Sequence, residues 1–210
     1  MVKRRDQFLP PPPPPRLFVF SGLSGAGKDA VLFRMRREGF PLEFIVTVTT
    51  RQPRAEEKDG VHYRFVSREK FQEMVDGGEL LEWAEVYGHS YGVPGEPVRR
   101  ALAEGRDTIV KVDVQGAATI RRKMPEAVLI FLSPPSPEEH VARLTQRRTE
   151  TPAELELRLQ KARGELDRLP EFDYLVFNPE GKIERAVADV AAIIRAEKCR
   201  VNTGKSSPGR

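Results

Sequence analysis

The sequence has few cysteine and histidine residues and no long hydrophobic run. A single cysteine, Cys199, excludes an internal disulfide framework and fits a reducing cytoplasm, which is the location we expect. The three histidines, His62, His89 and His140, lack ligand-like spacing, so a metal site built from His and Cys is not expected. No apolar stretch approaches the roughly 20 residues of a membrane span, and the N-terminus lacks the apolar centre of a signal peptide.

The net charge of +4 is not spread evenly along the 210 residues. The basic excess lies in segments 1–16 and 198–210, whereas the sequence between them is mildly acidic. No recognition motif accompanies the basic tails, so we interpret them as solvated and expect no nucleic-acid partner. Six consecutive prolines at 10–15 favour an extended, disordered leader over 1–15; a ligand for a proline-binding partner is the alternative.

The remaining pattern alternates strands with helices, which predicts one α/β domain around a parallel sheet. Apolar and β-branched runs predict strands at 17–20, 44–50, 61–66, 79–87, 108–114, 128–132 and 174–177. Helical patterns predict helices at 30–38, 97–104, from 115, 138–148, 152–169 and 183–198, and one of about ten residues that starts after Ser67 and ends at the glycines 77–78. The segment 88–92 reads as a turn, and the closely spaced strands around it indicate a small, mostly antiparallel inserted subdomain.

A glycine-rich loop follows the first predicted strand. Gly22, Gly27 and Lys28 fit the pattern G-x-x-x-x-G-K, between a strand and a helix. Backbone N–H groups in such a loop turn inward, and the helix N-terminus and Lys28 add positive charge, so the site suits nucleotide phosphates. The motif normally ends in Ser or Thr, but Asp29 stands there. A plain glycine turn before a helix is the alternative interpretation.

A second motif, at 49–65, reads Thr-Thr-Arg-x-x-Arg-x-x-Glu-x-x-Gly-x-x-Tyr-x-Phe. Further landmarks are Leu-Leu-Glu-Trp-Ala at 80–84, Val-Asp-Val-Gln-Gly at 112–116 and Val-Phe-Asn at 176–178. On these residues, and in order over about 16–196, the sequence resembles the guanylate kinase family, whose members phosphorylate GMP with ATP.

The resemblance implies a P-loop nucleoside monophosphate kinase fold. Such a fold has a parallel-sheet core with helices on both faces, an inserted mixed α/β GMP-binding subdomain and a helical lid. It implies a domain over 16–197, with a disordered basic tail at 198–210. Within the domain, the expected parts are the core (16–46, 93–133 and 159–197), the GMP-binding insert (47–92) and the lid (134–158).

The resemblance also implies the acceptor site. Planar guanidinium groups suit a phosphate, and a carboxylate accepts both N–H donors on one edge of guanine. Val93 stands where a guanine-contacting Ser or Thr is common, so that hydrogen bond is absent or replaced. The expected GMP-binding residues are Thr47, Arg51, Arg54, Tyr63, Glu82, Tyr91 and Asp113. Without the resemblance, arginines in a charged loop would be read as solvated.

On the donor side, the resemblance implies an ATP site with Mg²⁺ as cofactor. The expected ATP-binding residues are Gly22, Leu23, Ser24, Gly25, Ala26, Gly27, Lys28, Asp29 and Asn178. The expected catalytic cations, which oppose charge on the transferring phosphoryl group, are Lys28, Arg51 and the lid residues Arg147 and Arg158. For the lid arginines the alternative is salt bridging with Glu150 and Glu154.

Two positions depart from the family pattern together. Asp29 replaces Ser or Thr, and Lys111 stands two residues before Asp113, where the family commonly has an acid. We predict that Asp29 and Lys111 form an ion pair beside the metal site. The rival hypothesis is that Asp29 itself binds Mg²⁺, mostly through water.

The expected activity is therefore ATP:GMP phosphotransfer (EC 2.7.4.8), which needs no general base because a phosphate oxygen of GMP is already an anionic nucleophile. The expected partners are ATP and GMP, without a membrane; nothing in the motifs assigns an oligomeric state. Two alternatives stay open. One is a kinase for another phosphorylated acceptor, and the other is a non-catalytic guanylate-kinase-like module that binds phosphorylated ligands.

Overall fold

The computed structural model describes residues 12–86, 88–145 and 152–201, with the side chains of 152–158 left out. Arg147 therefore lies outside the described residues, and Arg158 is described only as helix backbone. The strands are β1 (Leu17–Gly22), β2 (Glu43–Phe44), β3 (Val48–Thr49), β4 (Arg64–Phe65), β5 (Leu80–Val86), β6 (His89–Pro94), β7 (Thr108–Lys111), β8 (Val128–Ser133) and β9 (Tyr174–Phe177). The helices are α1 (Lys28–Arg37), α2 (Arg68–Asp76), α3 (Gly95–Ala103), α4 (Val114–Lys123), α5 (Pro137–Thr145), α6 (Pro152–Asp167) and α7 (Ile183–Lys198).

The larger sheet is wholly parallel, in the order β2-β7-β1-β8-β9. Its central strand β1 is buried along its full length, which explains why the sequence there is apolar without alternation. One face packs against α1, α6 and α7 and the other against α3 and α4, with separate apolar clusters on the two sides. The predicted parallel core with helices on both faces is confirmed.

The smaller sheet has the order β4-β3-β6-β5 and is mixed. Strands β3 and β4 are parallel, whereas β6 is antiparallel to both β3 and β5. Helix α2 begins after Ser67, whose side chain accepts a hydrogen bond from the Lys70 N–H at 3.1 Å. A small cluster of Val48, Phe71, Met74 and Leu80 holds α2 on this sheet. The predicted inserted mixed α/β subdomain is confirmed.

Three local predictions were wrong. The single strand predicted at 44–50 is divided: β2 pairs with β7 in the parallel sheet, and β3 joins the smaller sheet. The β-branched run is continuous because both halves are extended, but it changes hydrogen-bonding partners between the sheets. The turn predicted at 88–92 is mostly strand β6, since Val86 already pairs with His89. The strand predicted at 61–66 shortens to β4.

Helix α5 lies within the segment 134–158 that is predicted to form the lid, and α6 begins in that segment. The described parts of 134–158 are mainly helical, and α6 continues into the core through Ala162. Their role as a lid remains a prediction. Within the described ranges, no helix is both long and apolar enough to cross a bilayer.

Candidate active site

The glycine-rich loop links β1 to α1 at the carboxyl edge of the parallel sheet. At Gly22 φ is +136°, and a Cβ atom there would lie 2.1 Å from the Leu132 carbonyl oxygen of β8. Only glycine allows this approach. Gly27 precedes α1 in a left-handed conformation, and no described side chain caps the first turn of that helix. The N–H groups of the first turn are therefore available to an anion.

Lys28 folds back over this loop. Its Nζ donates to the Gly22 carbonyl at 2.7 Å and the Leu23 carbonyl at 3.0 Å. Burial lowers the pKa of Lys28, while Glu165 and Asp29 act in the opposite direction. The ammonium group thus sits in a position where a bound phosphate would add to its stabilisation.

Helix α5 and the segment after β9 support the outside of the loop. Asn178 donates from Nδ2 to the Ala26 carbonyl at 2.8 Å. Arg143 donates to the Asn178 carbonyl at 2.6 Å and pairs with Glu139. The sequence predicts an adenine contact for Asn178; the structure places its amide nitrogen on the loop backbone. Arg143 was not assigned a role from the sequence.

Both polar backbone atoms of Ser24 are held by side chains from helices. Its N–H donates to Glu165 Oε2 at 2.8 Å, and its carbonyl lies 2.7 Å from His140 Nε2. Burial raises the pKa of Glu165, although Lys28 and the Ser24 N–H oppose that effect. Sequence reasoning missed Glu165, because a glutamate on a helix carries no sign of a contact 141 positions away.

Replacement of Glu165 by alanine is expected to lower the free energy of unfolding by about 2 kcal/mol. The change leaves the Ser24 N–H without this acceptor and removes a counter-charge of Lys28. Urea denaturation measures the change in the free energy of unfolding. The matched control is Glu126→Ala, at an exposed turn, for which the change should stay below about 0.5 kcal/mol. Equal effects of the two substitutions would contradict this role for Glu165.

The predicted acceptor arginines differ in their surroundings. Arg51 is 14% exposed, donates to Glu57 at 2.7 Å and lies with its guanidinium carbon 5.4 Å from the Tyr63 ring centre. The Arg54 side chain is 60% exposed with its guanidinium 4.0 Å from Glu57 Oε1, although the Arg54 backbone N–H donates to Glu57 Oε2 at 2.8 Å. Glu57 therefore orders the guanidinium of Arg51 far more than that of Arg54.

Two tyrosines form the wall beside Arg51. The rings of Tyr63 and Tyr91 meet edge to face, with centroids 5.9 Å apart. The Tyr63 hydroxyl oxygen accepts a hydrogen bond from Lys111 Nζ at 2.7 Å. Burial raises the pKa of Tyr63 despite the nearby Lys111, so the phenol keeps its proton and can donate it to a ligand.

The two predicted guanine carboxylates lie near each other. Glu82 on β5 is 3% exposed, and its Oε2 has no hydrogen-bond partner among the described residues. Burial, followed by the charge of Asp113, raises the pKa of Glu82 to about 8. Asp113 caps α4, accepting from the Gly116 N–H at 2.8 Å. An unpartnered buried carboxyl oxygen is costly unless a ligand provides donors.

Two neighbours complete the description of this region. Thr47 is buried and donates to the Lys111 carbonyl at 3.2 Å, so its hydroxyl proton is engaged with the end of β7. Val93 is buried in the apolar cluster beneath α3 and α4. The side chain that departs from the family pattern at this position thus contributes packing.

The predicted ion pair between Asp29 and Lys111 is confirmed. Lys111 Nζ contacts Asp29 Oδ1 across the gap between α1 and the end of β7. Lys111 is paired in register with Phe20 of β1, the strand that leads into the glycine-rich loop. The Lys111 ammonium group therefore connects Asp29, which follows the glycine-rich loop, to Tyr63.

Comparison with known proteins agrees with this arrangement. The family model described as guanylate kinase matches residues 14–197. The chain belongs to the guanylate kinase family. The guanylate kinase of Nocardia farcinica is 51% identical over 168 residues, covering 79% of this chain and 86% of that protein. Guanylate kinase 2, chloroplastic/mitochondrial, of rice is 47% identical over 195 residues, covering 92% and 68%.

A solved guanylate kinase structure supports the same membership. The crystal structure of guanylate kinase from Anaplasma phagocytophilum is 31% identical, with a TM-score of 0.71, and the match covers 91% of this chain and 89% of that one. The family and the P-loop kinase fold predicted from the sequence are confirmed. The roles of the individual residues in substrate binding and phosphoryl transfer remain predictions.

Proposed function

We propose that this protein transfers the γ-phosphoryl group of ATP to GMP, and to dGMP, giving ADP and GDP. The observation that carries the proposal is the buried Glu82 carboxyl, whose unpartnered Oε2 suits the paired N–H donors of guanine. Adenine lacks that donor pair, so it would leave the carboxylate unpaired. The relatives named guanylate kinase support the same reaction.

In the proposed reaction, a GMP phosphate oxygen attacks the γ-phosphorus of ATP. An oxygen–phosphorus bond forms as the bond to the β-phosphate oxygen breaks, and the electron pair leaves on ADP. Lys28 and Arg51 oppose the charge that spreads over the phosphoryl oxygens, with Arg147 and Arg158 proposed for the lid. Catalysis then rests on alignment and exclusion of water, which closure of the insert and lid would provide.

Mg²⁺ is the proposed cofactor, and Asp29 is the residue that would hold it, mostly through water. The Asp29 carboxylate is 63% exposed, and Lys111 contacts its Oδ1, so this carboxylate offers the oxygen chemistry that Mg²⁺ prefers and is accessible to a hydrated ion. When bound with ATP, Mg²⁺ would neutralise phosphate charge. The cytoplasmic location stays a prediction from the sequence.

A coupled assay with ATP and a panel of acceptors tests the proposal. We expect turnover with GMP and dGMP, and at least about 100-fold lower kcat/KM with AMP and UMP. Absence of GMP turnover by a folded protein would remove the proposal. Tight GMP binding without turnover would instead favour the non-catalytic binding module. The presence of Lys28 and of the loop glycines argues against that alternative.

GMP affinity should rise with pH from 6.5 to 8.5. Guanine binds the ionised form of Glu82, whose pKa of about 8 means that the unliganded protein carries a proton there at neutral pH. Below that pKa, each unit of pH should change the affinity by up to about tenfold. Calorimetric titration at several pH values measures the slope. The Glu82→Gln variant is the control, and it should lose this part of the slope.

A further inference from the structure

Lys111 lies between the two halves of the active site. It ends β7, next to β1, and its side chain is only 12% exposed. Its ammonium group contacts Asp29 on the side of the phosphate loop and the Tyr63 hydroxyl on the acceptor side. No other described lysine makes contacts on both sides.

Asp29 supplies the negative charge that this enclosed ammonium group needs. Lys111 Nζ contacts the Asp29 carboxylate and donates to the Tyr63 oxygen, so both of these partners are acceptors that suit an ammonium cation. The two partners are unequal in exposure: Asp29 is mostly solvated, whereas Lys111 is not. Water competes for the carboxylate, so this contact is easier to exchange for another anion than a fully buried pair would be.

Tyr63 indicates where such an anion would bind. Its oxygen accepts from Lys111, so its own proton is left to donate to a ligand. Arg51 lies against the same ring, 5.4 Å from its centre, and Lys111 Nζ is 3.9 Å from that centre. A phosphate bound by the Tyr63 hydroxyl and Arg51 would thus lie within a few ångströms of Lys111, close enough for strong charge attraction.

We propose that Lys111 is a binding residue for the acceptor phosphate, paired with Asp29 in the unliganded protein and with the phosphate of GMP in the complex. This inference rests on the proposed function, because it assigns GMP as the acceptor. It also explains why Asp29 and Lys111 depart from the family pattern together. Asp29 is the anion that pairs with Lys111 until the phosphate of GMP replaces it.

The proposal predicts opposite effects for the two partners. Removal of the charge at Lys111 should weaken GMP binding, because the phosphate loses a cation. Removal of the charge at Asp29 should strengthen it, because the phosphate no longer competes with an internal carboxylate for Lys111. If Asp29 acts through Lys111, its substitution should have no such effect once Lys111 is replaced.

Calorimetric titration of GMP, without ATP or Mg²⁺, tests these signs. We expect Lys111→Met to weaken GMP binding about tenfold or more, and Lys111→Arg to stay within about threefold of wild type. Asp29→Asn should tighten binding about threefold, and the double variant Asp29→Asn/Lys111→Met should match Lys111→Met within about twofold. Guanosine, which lacks the phosphate, is the control ligand, and Lys111→Met should leave its affinity unchanged.

Several outcomes would overturn the proposal. GMP affinity unchanged in a folded Lys111→Met protein would make the ion pair purely structural. Equal loss of GMP and guanosine affinity would mean a disturbed base site, and a gain from Asp29→Asn that persists without Lys111 would mean general repulsion. Should Lys111→Met fail to unfold cooperatively, Lys111→Gln serves as the uncharged variant. Failure of the wild type to bind GMP would refute the proposed function instead.

Discussion

Replacement of Lys28 by methionine is expected to lower kcat for GDP formation about 1000-fold while GMP affinity changes less than about threefold. The Lys28 ammonium group is held by hydrogen bonds to the Gly22 and Leu23 carbonyls, in the loop proposed to bind ATP. Methionine keeps the length of the side chain and removes the charge that would stabilise the transferring phosphoryl group. Steady-state kinetics and GMP titration measure the two quantities separately.

Lys28→Ala is the companion variant, since it also removes the stem. Equal kinetic defects in the two variants would assign the effect to the charge, as we expect. Loss of GMP affinity with retained turnover would contradict the account, because it would place Lys28 in the acceptor site. Lys58→Met, at an exposed loop residue whose backbone N–H contacts His62, is the control for a general loss of a lysine and should leave kcat within about twofold.

Replacement of Glu82 by glutamine is expected to weaken GMP binding at least about 100-fold, or about 3 kcal/mol, with ATP affinity unchanged. The glutamine amide keeps one acceptor oxygen but places its NH₂ group against the second N–H donor of guanine, in a buried site where water cannot compensate. Titration with GMP and with ATP, each at pH 8.5, measures the difference. A larger loss for ATP than for GMP would mean that the two substrate sites are exchanged.

The same substitution should stabilise the unliganded protein at high pH. The pKa of Glu82 in the folded protein, about 8, is raised above the ordinary value of 4.5, so its favourable contribution to stability is complete below pH 4.5 and is lost as pH rises from there through 8. Glutamine resembles the protonated form and does not ionise. We expect the two proteins to be nearly equal in stability at pH 5, and the variant to be more stable by about 3 kcal/mol at pH 9.

Urea denaturation at pH 5 and pH 9 measures this difference. Asp113→Asn is an informative comparison, because the charge of Asp113 is the second cause of the raised pKa of Glu82. A stability difference between the variant and wild type that did not grow with pH would contradict a buried carboxyl with a raised pKa at Glu82. The combination of weaker binding and greater stability would identify Glu82 as a residue whose burial serves the ligand rather than the fold.

The parts of the fold that local patterns determine could be predicted from the sequence. The apolar run of β1, the glycines and the helix after them specify a strand, a loop and a helix without reference to distant residues. The division of 44–50 could not be predicted, because β2 and β3 share the same extended backbone and differ only in the strands they meet. Partner choice depends on the whole chain.

In the candidate site, too, contacts that depend on the packing of distant segments could not be predicted from the sequence. The residue types at Arg51, Tyr63 and Glu82 predicted an acceptor site through the family motif, whereas the contact of Glu165 with Ser24 depends on how α6 packs against the loop. The pairing of Asp29 with Lys111 is an exception across 82 positions. It could be predicted because two departures of opposite charge occurred at positions that the resemblance placed side by side.

Direct chromatography of a mixture of ATP, Mg²⁺, GMP and this protein tests the central claim, which is a two-substrate site that transfers one phosphoryl group. The account predicts that ADP and GDP appear in equal amounts as ATP and GMP disappear, and that Lys28→Met stops both. ADP formation without GDP, or GMP binding without either product, would contradict it.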